Sequence, residues 1–313
     1  MKPAILFQRR HSINIFTFGL LAFLLCRDPL AAQSVTLTAD ADTTLIEVFP
    51  NNNMGGEITM MSGTRRQGGR TRGLVRFDLS SIPPDAVVTA AALTLVVTRT
   101  PTGARNSVFD VRRVLVPWGE GARTGTSGGR QGVGSTAAAN EASWINRLQS
   151  AAAWTTRGGQ IGADFFTNVS ATATIAGNGS YTFGSTPSLV TDVQGWVNNS
   201  VTNNGWVFLS ESESSVTTIR RFGSREGGFA APSLQIDYVR LLRINSAERD
   251  GDLFRLRFDA EANQTYTVEC RDFVAAGGWT TLTNIGPLDV TAEVVATDSL
   301  FASTQRFFRV VKQ

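Results

Sequence analysis

The chain has 313 residues, of which 42% are hydrophobic and 18% charged, with 30 Gly and 10 Pro. This excludes a disordered tail, a coiled coil and a collagen-like chain, and leaves a loop-rich globular composition. The formal charge of +3 sits at the N-terminus: without Lys2, Arg9, Arg10, Arg27 and Asp28, the 29 Lys and Arg and the 26 Asp and Glu become 25 of each. A neutral remainder offers no electrostatic footprint for nucleic acid.

Residues 1–32 read as a signal peptide. A basic stretch over 1–10 precedes an apolar run over 13–25 that is too short to span a bilayer, and Leu30-Ala31-Ala32 places small residues before a cleavage at Gln33. The expected product is exported, either secreted or held at the cell surface, and has no membrane span. Cleavage removes His11 and Cys26, leaving Cys270 and Lys312 as the remaining Cys and Lys and no His. Those losses exclude a Ser-His-Asp triad, a Cys-His pair, a His-ligated zinc and an internal disulfide.

From residue 35 to about 238 the apolar period is two. Val75, Phe77 and Leu79 fall on one face with Leu74, Arg76 and Asp78 on the other, and Ala91, Leu93, Leu95 and Val97 repeat the pattern. Further strands are expected at 108–116, 206–210, 218–224 and 233–238, bounded by Gly, Pro or Asn. Such spacing predicts an all-β fold, an antiparallel jelly-roll-like β-sandwich. Residues 119–134, with seven glycines, are expected to form a mobile loop. Two short helices are predicted. One follows Asn140 and presents Trp144, Ile145 and Leu148; the other covers 187–198, with Thr186 as cap, Pro187 in the first turn and Leu189, Val193, Trp196 and Val197 on one stripe. Near Arg240 the pattern restarts, with strands expected at 253–258, 264–270, 279–284, 292–297 and 306–311. These predict a second small β-sandwich module, so the expected domains are 33–239 and 240–313. In the second, Trp279 and Phe307 are expected in a core or interface.

Several phrases of the first module occur in a recognisable order. They are Ala41-Asp-Thr-Thr44, Pro50-Asn-Asn-Asn-Met-Gly55, Arg72-Gly-Leu-Val-Arg-Phe-Asp-Leu79, Pro117-Trp-Gly-Glu-Gly121, Asp192-Val-Gln-Gly-Trp196, Asn204-Gly-Trp206 and Arg221-Phe-Gly-Ser-Arg-Glu226. Together they resemble the DNRLRE domain, a β-sandwich of exported microbial proteins related to carbohydrate-binding module family 96. Arg225-Glu226 matches the end of the name-giving motif, with Gly223-Ser224 where that motif has Arg-Leu. The resemblance implies a jelly-roll-like sandwich and, for some members, binding of acidic polysaccharide such as alginate. The tail, from Phe254-Arg-Leu-Arg-Phe258 to Arg306-Phe-Phe-Arg-Val310, looks like a small β module found at the C-termini of exported bacterial proteins.

The residues themselves point the same way. Arg65, Arg66, Arg70, Arg72 and Arg76 form a run without a carboxylate between Glu57 and Asp78. Period-two spacing aligns Arg70, Arg72 and Arg76 opposite Val75 and Phe77, and guanidinium forks match uronate carboxylates. Arg221 and Arg225 are expected on one face of their strand, with Glu226 on the other. Alternatively these arginines line a solvated face or make ion pairs, Arg76 with Asp78 among them. Asp40 and Asp42, near Asn51 to Asn53, are candidate calcium ligands, with Asp237 or Glu47 as possible additions, because hard cations take oxygen ligands. The expected function is non-catalytic binding of an acidic, alginate-like polysaccharide through an arginine-bearing sheet face, the second module meeting a cell-surface anchoring partner. The alternatives are a structural cell-surface or matrix protein, and a small polysaccharide lyase or hydrolase using Tyr181 or Tyr238 as base.

Overall fold

A computed structural model describes residues 32–125, 132–273, 278–299 and 306–313. The expected signal peptide, with His11 and Cys26, and the centre of the glycine-rich segment lie outside them. The described residues divide after Leu241 into two units.

In chain order the first unit contains β1 (Gln33–Thr38), β2 (Ala41–Ile46), β3 (Asn52–Asn53), β4 (Thr59–Thr64), β5 (Arg70–Arg76), β6 (Ala86–Arg99), β7 (Ser107–Arg113), β8 (Ser135–Thr136), β9 (Asn146–Leu148), β10 (Ala152–Ala153), β11 (Ala171–Ile175), β12 (Gly179–Phe183), the helix α1 (Pro187–Asn198), β13 (Trp206–Ser210), β14 (Arg220–Gly223) and β15 (Ser233–Arg240). The fold is all-β and antiparallel, as the period-two pattern predicts. Hydrogen bonds run in the order β1-β15-β6-β14-β4-β5-β13-β7-β11, with β12 added to β6 and β2 to β5.

This ribbon folds on itself at β4. Residues 59–62 of β4 pair with β14, whereas Gly63 and Thr64 pair with β5. Gly63 makes the corner at φ 106°, where a Cβ would meet the Thr218 backbone at 2.7 Å, so only glycine can pass from one layer to the other here. Phe222 of β14 consequently meets Phe208 of β13 and Phe109 of β7, edge to face at 5.0 and 5.9 Å, across the sandwich. The long strand β6 supplies Ala86 and Val88, then Ala91, Leu93, Leu95 and Val97, to the same core. Its inward parity changes because a bulge against Asp237 and Tyr238 leaves Thr89 without a register partner.

Helix α1 forms where expected. Thr186 Oγ1 accepts the Leu189 N–H at 3.0 Å, and Leu189, Val193, Trp196 and Val197 are buried. The helix expected after Asn140 does not form. Asn140 is left-handed at φ 65°, Ser143 Oγ accepts the Asn146 N–H at 3.1 Å, and β9 and β10 make a hairpin. The pattern of Trp144, Ile145 and Leu148 suits either structure, and local side-chain bonds to the backbone favour the turn.

The second unit contains β16 (Ile244–Asp250), β17 (Leu253–Ala260), β18 (Tyr266–Arg271), β19 (Thr280–Ile285), β20 (Ala292–Ser299) and β21 (Phe307–Lys312). Two three-stranded sheets, β16-β17-β20 and β19-β18-β21, enclose Phe254, Leu256, Phe258, Tyr266 and Val268. Phe254 stacks on Phe308 at 4.0 Å, joining the layers. Trp279 is half-buried rather than a core residue and lies against the guanidinium groups of Arg271 and Arg309 at 4.3 and 4.5 Å. Among the described residues no helix is long and apolar enough to cross a membrane.

Candidate functional site

The outer face of β5 is not the solvated face that its alternation implies. Trp144, Trp154 and Phe165, from the turns after residue 138, cover it with Leu45, Leu74, Val207 and Leu209 in a second apolar cluster. The expected row of Arg70, Arg72 and Arg76 is therefore broken. Arg72 is buried, and its fork bonds both oxygens of Glu213 at 2.6 and 2.7 Å, while Nη1 donates to the Gly158 and Gly159 carbonyls. Arg70 is held bidentately by Glu47 at 2.6 and 3.0 Å, a bond that lowers the Glu47 pKa. Arg76 pairs with Asp40 at 2.8 Å, and Asp78 instead caps Ser80. These three forks already have carboxylate partners within the chain.

Arg65, Arg66 and Arg221 gather beside the β4–β5 turn, which the Arg65 and Gly69 backbones close. Arg65 Nη2 donates to the Gly132 carbonyl at 3.0 Å, and a Cβ on Gly132 would stand 2.8 Å from Arg221 Nη2, so both guanidinium groups flank one glycine. Arg221 is in turn the register partner of Arg99 on β6. Burial and then Arg221 depress the Arg65 pKa; burial and then Arg99 depress that of Arg221, with Glu57 acting oppositely. Arg66 projects at the exposed tip of the turn. Phe49, 36% exposed, lies 5.6 Å under the Arg65 guanidinium. A shallow cleft of about 450 Å³ adjoins the same turn, lined by Thr64, Gly68, Gly69 and Val216 with the paired Glu47, Arg70 and Glu213. Sequence reasoning singled out Arg65, Arg66 and Arg221 but missed Arg99, whose position is set by the β6–β14 register.

Arg225 does not share a face with Arg221. The strand ends at Gly223, and Arg225 begins a 3₁₀ turn (Arg225–Ala230). It pairs with Glu120 at 3.1 Å and Glu226 at 2.8 Å, and its N–H donates to Asp42 Oδ2 at 2.5 Å. Carboxylate oxygens of Asp42, Glu120 and Glu226 lie within 4.8 Å of one another. Burial, foremost, with Glu226 and Glu120 nearby, raises the Asp42 pKa to about 8, against the Arg225 N–H. The Glu120 pKa is also raised, mainly by burial. Of the two aspartates proposed as calcium ligands, Asp42 enters this group. Asp40 is taken by Arg76, and Glu47 by Arg70.

Four separated segments build the group. Asn53 Nδ2 donates to the carbonyls of Glu120 at 2.6 Å and Ala142 at 2.9 Å, and Glu120 Oε1 accepts the Asp42 N–H at 2.9 Å. A Cβ on Gly55 would overlap the Glu120 carbonyl. Residues 119–125, expected within a mobile loop, are thus pinned together with the Trp118 before them: Trp118 Nε1 bonds the Asn204 carbonyl at 2.8 Å, Gly119 pairs with Arg147 and Ala142, and the Arg123 carbonyl accepts the Gly56 N–H. The Tyr181 hydroxyl bridges Gly177 and Ala176 within a turn, and Tyr238 is buried.

The sequence matches no protein-family model, and no curated protein matches it.

Proposed function

We propose that the first unit is an exported, non-catalytic module that binds an acidic polysaccharide, a uronate polymer of the alginate type, beside the β4–β5 turn. Arg65, Arg66, Arg99 and Arg221 are its contact residues. The observation that carries this reading is the placing of Arg65 and Arg221 on either side of Gly132, with Arg99 opposite Arg221. Guanidinium forks match the carboxylates of a uronate ligand, and exposed Phe49 offers an apolar face to a sugar ring. The second unit, on this reading, meets an anchoring partner at the cell surface.

Affinity electrophoresis of the full chain through alginate, and through a neutral glucan of equal mass, tests the proposal. Retardation is expected in alginate alone. Replacing Arg65 and Arg221 together by Ala should weaken it at least about tenfold, since each charge-assisted hydrogen bond contributes about 1.5–3 kcal/mol. Equal retardation in both gels, or an unchanged double variant, rejects the assignment, and depolymerisation of the alginate rejects the non-catalytic reading.

A further inference from the structure

We infer that Asp42, Glu120 and Glu226 form a binding site for a hard divalent cation of calcium size, held at the junction of β2, the 117–121 turn and the 3₁₀ turn after β14. It is independent of the polysaccharide reading, whose residues lie elsewhere on the unit.

Asp42 is 1% exposed. Its Oδ2 accepts the Arg225 N–H, but Oδ1 is buried and has no hydrogen-bond partner among the described residues. Leaving a buried charged oxygen unpaired is costly, and in folded proteins such an oxygen is expected to have a partner. The charges acting on Asp42 are Glu120, Glu226 and Arg225. Three carboxylates against one guanidinium leave two negative charges, which a dication balances. The Arg225 guanidinium pairs with Glu120 and Glu226, while Asp42 meets only the Arg225 backbone N–H, so the arginine side chain orients two of the ligands.

Coordination chemistry selects the ion. Calcium accepts several carboxylate and carbonyl oxygens in irregular geometry, whereas magnesium demands a near-ideal octahedron and keeps most of its waters. Three carboxylates that come within 4.8 Å of one another from three separate segments suit the more tolerant ion. All three ligands are carboxylates, so the donor set is hard throughout. Rigidity comes from Asn53, which fixes the Glu120 backbone, and from Gly55, whose missing Cβ lets that backbone approach.

The test is calorimetric titration of the chelator-treated full chain with calcium, and thermal unfolding in about 10 mM calcium, above the roughly 0.1–1 mM dissociation constants of extracellular calcium modules. Saturable heat and a raised Tm are expected, with a smaller response to magnesium. Glu226→Gln should weaken calcium at least about tenfold, Asp42→Asn should abolish the response, and Asp250→Asn, in the second unit, should leave it intact. Glu226 is exposed, so its variant decides the matter should Asp42→Asn fail to fold. Absence of both heat and Tm shift in the wild type overturns the inference, as does wild-type affinity in Glu226→Gln.

Discussion

Arg72 and Glu213 lie 141 residues apart and meet through two parallel bonds of 2.7 and 2.6 Å, with side chains only 9% and 18% exposed. The same guanidinium clamps the carbonyls of Gly158 and Gly159, so it ties the covering turns to β5 and to the segment after β13.

Arg72→Ala should cost about 3–5 kcal/mol, because it leaves Glu213 and two carbonyls without their donor. Arg76→Ala, whose pair with Asp40 is about one third exposed, should cost about 1 kcal/mol or less. Urea unfolding of both variants measures the contrast. Equal losses would mean that Arg72 is not the clamp described.

The polysaccharide reading predicts a distinction between charge and geometry. Arg65→Lys with Arg221→Lys keeps net charge but loses the planar fork, so alginate retention should fall below wild type at equal ionic strength. Wild-type retention should also decline with salt, as screening shortens to about 8 Å near physiological conditions. Retention that ignores salt would point to a neutral contact.

Asp42 predicts an unusual pH dependence for the metal-free protein. Its folded pKa of about 8 lies above the ordinary aspartate value of 3.8, so the folded state holds this proton more tightly than the unfolded chain. The stability from this group is complete below about pH 3.8 and is lost as pH rises towards 8. In chelator, Tm should therefore fall across that window for the wild type relative to Asp42→Asn. Parallel Tm curves for the two would refute the assignment of a raised pKa.

Cys270 is a free thiol, buried inside the second unit. It should resist a thiol reagent in the native protein and react fully in denaturant. Rapid native labelling would show that β18 opens readily.

A fragment covering 33–241 should fold alone with a cooperative melt, because the sandwich core and α1 lie wholly within the first unit. Aggregation of that fragment would show that it depends on the second unit.

Alternation in β6 and in β17, and the Thr186-Pro187 start of α1, were legible in the sequence because each depends on neighbours two to four residues away. The arginine row was not: period two correctly set Arg72 opposite Val75, but only the tertiary fold placed Trp144, Trp154 and Phe165 over that second face and buried the guanidinium. Likewise composition limited any metal site to oxygen ligands and drew notice to Asp42, yet could not choose Glu120 and Glu226 as its companions. Those contacts span 78 to 184 residues of chain and depend on the Gly63 corner, the end of β14 at Gly223 and the grip of Asn53 on the 117–121 turn. Local periodicity assigns a residue to a face; what lies against that face is decided by layer packing between segments that a sequence window never sees together.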